Sequence, residues 1–265
     1  MDQAARHDVW AAGDPYERYV GRWSRKVAPE FLTWLAMPRD LDWLDVGCGT
    51  GALSQTILDR AAPKSVKGID ASAGFLEYAK ANVLDPRVSF AVGDARSLPV
   101  DDASVDAAVS GLVMNFVPEP TRMAADMARA ARPGGSVAVY VWDYSGQMGM
   151  MRVFWTTATE LDPHAADEGP RFALCHPPAL TAVFSEAGLE QVEVRPIDVP
   201  TVFRSFDDYW LPFLGGQGPG PAYVMSLDPK GRDALRDRIR SKLREEADGS
   251  IHMTARAWAV RGRKG

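Results

Sequence analysis

Cysteine is scarce in this 265-residue chain: Cys48 and Cys175 lie far apart and in no CxxC-like spacing, so the sequence offers neither a disulfide framework nor a zinc site. That pattern suits a reducing, cytoplasmic compartment, and no metal is expected. Long apolar runs are missing as well. No stretch is long enough to span a membrane, and the opening MDQAARHDVWAAGDP has no apolar core of signal-peptide length, so a soluble intracellular protein is expected. Charge of one sign does not dominate: 30 Lys and Arg stand against 35 Asp and Glu, with no long basic run. The electrostatic footprint of a nucleic-acid binder is therefore absent, and small molecules are the expected partners. No internal repeat is visible. The length suits one domain over 1–265, with two full domains a squeeze.

What is present is a rhythm. From residue 41 onward, short valine-rich apolar runs alternate with segments of helical period, the signature of β-α-β units and a mostly parallel sheet. Strands are expected at 41–46, 66–69, 88–92, 105–110 and 136–142, with helices at 52–60, 73–82 and 120–131 between them. Asp85-Pro86 and Pro133-Gly134-Gly135 read as the punctuation that admits the following strands. Beyond residue 144 the rhythm changes. Residues 148–161 read as a helix, 161–178 as irregular, 178–187 as a helix and the region near 190–199 as a strand. The run GGQGPGP at 215–221 reads as a loop. Leu235, Ile239 and Leu243 then recur on a charged helix, and 251–260 closes as a final strand.

The first predicted strand ends in LDVGCGTG at 44–51, which packs Gly47, Gly49 and Gly51 into five positions before a helix. Such a turn sets bare backbone N–H groups and a helix N-terminus at the carboxyl edge of a parallel sheet, where α/β folds bind ligands. The glycines alone leave three readings: a dinucleotide, another nucleoside cofactor, or a turn with no ligand. Gly47, Gly49 and Ala52 also satisfy the dinucleotide pattern. Acidic residues recur at strand ends: Asp45 before the glycines, Asp70 after the second strand and Asp94 after the third. A carboxylate some 20 residues beyond such glycines can accept from both hydroxyls of a ribose, and one a strand further lies where an adenine amino group would project. Each aspartate alone reads more readily as a cap or turn residue than as a ligand group; their joint placement is harder to explain that way.

The segments LDVGCGTG (44–51), GIDAS (68–72), GDARSLPVDDASVDAAVS (93–110) and RPGGSVAV (132–139) together resemble the class I S-adenosylmethionine-dependent methyltransferases, in particular the small-molecule group that includes the ubiquinone/menaquinone-type enzymes. The resemblance covers roughly 16–144. It implies a Rossmann-like, doubly wound α/β fold whose seven-stranded, mostly parallel sheet has an antiparallel last strand, helices on both faces and a small helical and loop cap. On this view 1–40 forms N-terminal lid helices, 41–144 the cofactor core, 145–225 the cap and acceptor-side insertions, and 226–265 a closing helix and strand. It further implies S-adenosyl-L-methionine as cofactor and S-adenosyl-L-homocysteine as product. Gly47, Cys48, Gly49 and Gly51 would face the methionyl part, Asp45 its amino group, and Asp70, Ala71 and Ser72 the ribose side. Asp94 and Ala95 would read the adenine edge, and Ser110 would line the pocket. A cationic sulfonium without pyrophosphate also tolerates an acidic strand end better than phosphates would.

An N-terminal aromatic helix would close over the cofactor, with Tyr16, Tyr19 or Trp23 against the methionyl end and Arg22 pairing its carboxylate; ordinary packing is the alternative. Asn115, Phe116, Trp142 and Tyr144 are the expected acceptor lining, with Asp143 beside them. A cap rich in Met and aromatic side chains suggests an apolar or aromatic acceptor, though such residues also build plain cores. His164, His176 and Asp143 are the candidate bases, and positioning alone can drive methyl transfer to a good nucleophile. Two other functions share much of this pattern: an NAD(P)-dependent oxidoreductase and a non-catalytic S-adenosylmethionine-binding protein. Against the first, neither Tyr140 nor Tyr144 has a lysine four residues on.

Overall fold

Alternation of small and branched apolar side chains fixes the sheet. In the fifth strand Val137, Val139 and Val141 pack to one face while Ala138, Tyr140 and Trp142 pack to the other, the period of two that a strand buried on both faces requires. The computed structural model describes residues 21–167, 169–215 and 218–265. Its strands are β1 (Asp42–Val46), β2 (Ser65–Asp70), β3 (Val88–Val92), β4 (Val105–Gly111), β5 (Ala131–Trp142), β6 (Leu189–Phe203) and β7 (Ile251–Lys264). They form one sheet in the order β3-β2-β1-β4-β5-β7-β6. β1 to β5 pair in parallel and β7 runs antiparallel to both β5 and β6. The chain goes outward from β1 to β2 and β3, then returns to place β4 on β1's other side. That reversal makes the carboxyl ends of β1 and β4 the switch point at which open α/β sheets bind ligands.

The helices are α1 (Arg22–Leu35), α2 (Ala52–Arg60), α3 (Ala73–Asn82), α4 (Pro120–Ala130), α5 (Gly149–Leu161), α6 (Pro177–Glu186), α7 (Phe206–Trp210), α8 (Pro219–Ser226) and α9 (Pro229–Lys242). One core joins Trp43, Val109 and Tyr140 of the sheet to Phe31 of α1 and Ile57 of α2. The other joins Leu44, Val46 and Val139 to Met123 and Met127 of α4 and Leu180 and Phe184 of α6. Both faces are thus covered. Among the described residues no helix is long and apolar enough to cross a membrane.

Three boundaries differ from expectation. β5 begins at Ala131, directly after α4, and Pro133-Gly134-Gly135 lies inside it rather than before it. Ala131 pairs with Val105, and the register shifts before Ser136 pairs with Ala107. A proline without an N–H and a glycine at φ 76° make a bulge, not a stop. β6 runs fifteen residues, well beyond the expected 190–199. Its prolines, Pro196 and Pro200, are tolerated because it is an edge strand. Finally, Pro219-Gly220-Pro221, read as loop, opens α8, with proline at the first helical turn where a missing N–H costs nothing.

The cap packs on the β7 side. Met148 bridges to Ala255, the Tyr209 hydroxyl donates to the Met150 carbonyl at 2.9 Å, and Phe154 stacks on Phe213 with ring centroids 4.5 Å apart. Met150, Met151, Trp155 and Trp210 are buried in the same core. The Met and aromatic content of the cap is therefore its own packing.

Candidate cofactor and acceptor site

Past Val46 the chain turns through Gly47 (φ 70°), Gly49 (φ 52°) and Gly51 (φ 84°) into α2. The N–H groups of Gly47 and Cys48 both donate to the Ile69 carbonyl, at 2.7 and 3.0 Å, which locks the loop to the end of β2. The glycines divide by what surrounds them. A Cβ at Gly47 would lie 2.5 Å from Val113, and one at Gly51 would lie 2.8 Å from Val83. At Gly49 it would meet no atom within 4 Å. Two glycines thus let the loop pack, and only Gly49 borders open space. Gly47→Ala, which combines the Val113 clash with a left-handed backbone, is expected to cost on the order of 3 kcal/mol of stability. Thermal melting checks this, and an unchanged midpoint would contradict it.

Two carboxylates converge beside the loop. Asp45 is fully buried; its Oδ2 accepts from the Ser54 hydroxyl at 2.6 Å, and its Oδ1 is buried with no hydrogen-bond partner. Burial pushes its carboxyl up to about 7; Ser54 opposes that rise and the nearby Asp70 adds to it. Asp70 accepts from the Gly49 N–H at 2.9 Å and the Ser72 N–H at 2.8 Å. It too lies above the usual carboxylate range, through burial, with those two N–H groups pulling the other way. The Cys48 thiol is buried and pushed up, first by burial and then by Asp45 and Asp70, so it is an inert packing group.

The remaining cofactor-side residues are spread along the same edge. Ala71 is exposed, and Ser72 caps α3 by accepting from the Phe75 N–H at 3.3 Å. Asp94 is exposed, and Arg96 grips it at 3.0 Å from Nε and 2.7 Å from Nη2, which holds its carboxyl down at about 2. Ala95 follows, half-buried. Ser110 is fully buried with an unpartnered Oγ.

Tyr16 and Tyr19 lie outside the described residues. Arg22 has a different partner from the one expected. Its Nη1 pairs with the Asp208 carboxylate at 2.8 Å and its Nη2 donates to the Asp208 carbonyl, while Trp23 packs edge-on against Phe203 at 5.1 Å. Phe203 ends β6, four strands from β1 in the sheet order, and Asp208 lies on α7, which follows it.

On the acceptor side, the Trp142 carbonyl accepts from Asn115 Nδ2 at 3.3 Å and from the Cys175 thiol at 3.2 Å. Asn115 Oδ1 is buried and unpartnered. The Trp142 ring itself is in the core. Phe116, Tyr144 and Phe172 form a ring cluster with centroids 5.0 to 6.3 Å apart. The Asp143 carboxylate accepts from the Gln147 N–H at 3.0 Å and the Ser145 hydroxyl at 3.3 Å in the turn into α5. His164 and His176 are both exposed, at opposite ends of the 162–176 segment. Among the described residues no three His, Cys, Asp or Glu side chains gather as metal ligands do.

Sequence reasoning missed Ser54, Phe172 and Cys175. Ser54 carried a usable signal, since it lies on the face of α2 that also buries Leu53, Ile57 and Leu58, where an unexplained hydroxyl needs a partner. Phe172 and Cys175 arrive from a distant irregular segment that no local period could place.

Residues 44–139 match the family model for a methyltransferase domain. Over 218 residues, 78% of this chain and 80% of the relative, the sequence is 31% identical to a trans-aconitate 2-methyltransferase of Deinococcus radiodurans. It is 37% identical over 128 residues to a malonyl-[acyl-carrier protein] O-methyltransferase of Hahella chejuensis, an alignment that spans 47% of this chain and 44% of that relative. In fold it resembles phosphoethanolamine N-methyltransferase 2 of Haemonchus contortus, solved with S-adenosyl-L-methionine, with a TM-score of 0.57 at 17% identity, covering 95% of this chain and 56% of that one. With four ordered sequence motifs on a 3-2-1-4-5-7-6 sheet and a match to most of one relative's length, the chain belongs to the S-adenosylmethionine-dependent methyltransferase family.

Proposed function

We propose that this chain transfers a methyl group from S-adenosyl-L-methionine to a small molecule with an apolar or aromatic body, releasing S-adenosyl-L-homocysteine. The observation that carries the cofactor half is Asp45 Oδ1, a buried acceptor with no partner, at the end of β1 before the glycine loop. A buried carboxylate oxygen left unpaired is costly, and a ligand ammonium group would satisfy it. Asp45 and Asp70 together make the site acidic, which suits a cofactor carrying an ammonium and a sulfonium and repels a pyrophosphate. That contrast weighs against the dinucleotide reading.

In this reading Asp45 takes the amino group, and Asp70 offers the ribose hydroxyls the lone pairs that Gly49 and Ser72 leave free. Asp94, Ala95 and Ser72 flank the adenosine, and Ser110 lies behind the pocket. The bound cofactor supplies an electrophilic methyl on a sulfonium sulfur, which ends as a neutral thioether. Asn115 and the Phe116, Tyr144 and Phe172 cluster stand at the adjoining ends of β4 and β5, where an acceptor must approach, and rings of that kind favour an apolar or planar body. The acceptors in the two relatives' names, trans-aconitate and malonyl-[acyl-carrier protein], differ from each other, so the names leave this chain's acceptor open. No base is assigned. Holding donor and nucleophile in line and excluding water supplies the rate, given an acceptor that is already nucleophilic.

The test is incubation of the protein with methyl-labelled cofactor and a metabolite extract, followed by mass spectrometry. Label in a small product, lost in Asp70→Ala together with at least about tenfold of cofactor affinity, is the expected result. Cofactor binding without any labelled product would instead identify a non-catalytic binder.

A further inference from the structure

Asp45 and Ser54 form a pair that makes no sense as a purely structural feature. Both side chains are fully buried. Ser54 sits on the inward face of α2, between Leu53 and Ile57, where a buried hydroxyl costs stability unless it is bonded. A helical hydroxyl ordinarily bonds back to its own helix, as Thr56 does to the Ala52 carbonyl at 2.8 Å. Ser54 reaches across to β1 instead, 2.6 Å from Asp45 Oδ2. Yet the pair is only half satisfied, because Oδ1 has no partner. A half-paired buried carboxylate is a worse structural element than two apolar side chains of the same size. The arrangement gains its sense once something else binds Oδ1.

We infer that Ser54 is a positioning residue for the cofactor: its hydroxyl grips one oxygen of Asp45 and so presents the other, in fixed orientation, to the amino group of the methionyl tail. This rests on the reading of Asp45 given above. The groups that face Asp45 are Ser54 from α2, through both hydroxyl and backbone N–H, and Asp70 from the end of β2. Cys48 in the loop also feels its charge, as a thiol whose ionisation Asp45 opposes. No Lys or Arg among the described residues forms an ion pair with Asp45. Of the neighbours named here, only Ser54 favours the ionised carboxylate that an ammonium needs. Asp70 disfavours it. Removing the hydroxyl therefore does more than delete a contact: it leaves Asp45 protonated over a wider range of pH.

The experiment is calorimetric titration of S-adenosyl-L-homocysteine into the full chain, as wild type, Ser54→Ala and Ser54→Thr, from about pH 6 to about pH 9. Each variant is compared with wild type at the same pH, which cancels the ligand's own titration. The expected result is an affinity deficit in Ser54→Ala of about tenfold near pH 6 that shrinks to about twofold near pH 9, with Ser54→Thr restoring the wild-type profile. A deficit equal at every pH would mean that Ser54 matters only for packing and would overturn the inference, as would a Ser54→Ala profile superimposed on wild type. The underlying reading fails separately. Asp45→Asn binding S-adenosyl-L-homocysteine as tightly as wild type at every pH would remove Asp45 from the cofactor site whatever Ser54 does. If Ser54→Ala folds poorly, Ser54→Thr with altered pH dependence would likewise overturn it.

Discussion

Asp45→Asn is expected to bind the cofactor about 10- to 100-fold more weakly and, in the same preparation, to melt at a higher temperature than wild type at pH 8 when no ligand is present. The two effects have one origin. The amide keeps the shape of the carboxylate but loses its charge, and a charge-assisted hydrogen bond to an ammonium is worth about 1.5–3 kcal/mol. Stability moves the other way because burial holds the Asp45 carboxyl at about 7 against an ordinary 3.8. A group whose folded value is raised binds its proton more tightly in the folded state. Its favourable contribution is complete below about pH 4 and is lost as pH rises through about 7. The whole displacement corresponds to at most about 4 kcal/mol, at about 1.36 kcal/mol per pH unit. The asparagine variant does not suffer that loss, so its advantage should be largest at pH 8 and fall to under half of that at pH 5. Melting curves at the two pH values, with and without S-adenosyl-L-homocysteine, measure all of this. A variant less stable than wild type at both would show that the carboxylate serves the fold rather than a ligand.

Gly49→Val is expected to abolish cofactor binding while leaving a folded protein, the opposite of what Gly47→Ala does. The distinction comes from what a Cβ meets: Val113 at 2.5 Å in one case, nothing within 4 Å in the other. The backbone at Gly49, with φ 52°, charges a side chain about 1–2 kcal/mol, somewhat more when it is β-branched. The chain already tolerates alanine in that region at Ala36 and Ala62, with φ 48° and 45°. Gly49→Ala should therefore fold and melt a few degrees below wild type, with binding weakened, and Gly49→Val somewhat lower still, with binding lost. Differential scanning calorimetry and ligand titration on both variants decide it. If Gly49→Val retains wild-type affinity, the open space over the loop is not where the cofactor tail lies.

Much of this was legible in the chain before any coordinates, and the limits follow from physics. Strand ends were readable because Val46, Asp70 and Val92 each close an apolar run with an abrupt polar or glycine signal. The helices 52–60 and 73–82 were readable through their period. The antiparallel course of β7 was not; it followed from the resemblance, since periodicity carries no direction. Pro133-Gly134-Gly135 misled because a bulge and a stop use the same residues, and only the pairing of Ala131 with Val105 separates them. Of the candidate site, the strand-end placement of Asp45 and Asp70 is legible in the sequence and their expected roles come from the resemblance, whereas the partner of Arg22, Asp208, stands 186 residues away, and no local pattern reports such a pairing. That the Asp143 carboxylate accepts from the Gln147 N–H of its own turn is likewise not announced by the sequence. The three glycines looked equivalent, and only neighbouring side chains told Gly49 apart.

The central claim is that the ends of β1 and β2 hold S-adenosylmethionine rather than a dinucleotide. Parallel calorimetric titrations of the wild-type chain with S-adenosyl-L-homocysteine and with NAD+ test it most directly. The account predicts saturable binding of the first at one site per chain, lost in Gly49→Val, and no measurable heat from the second; saturable NAD+ binding with none for S-adenosyl-L-homocysteine would contradict it.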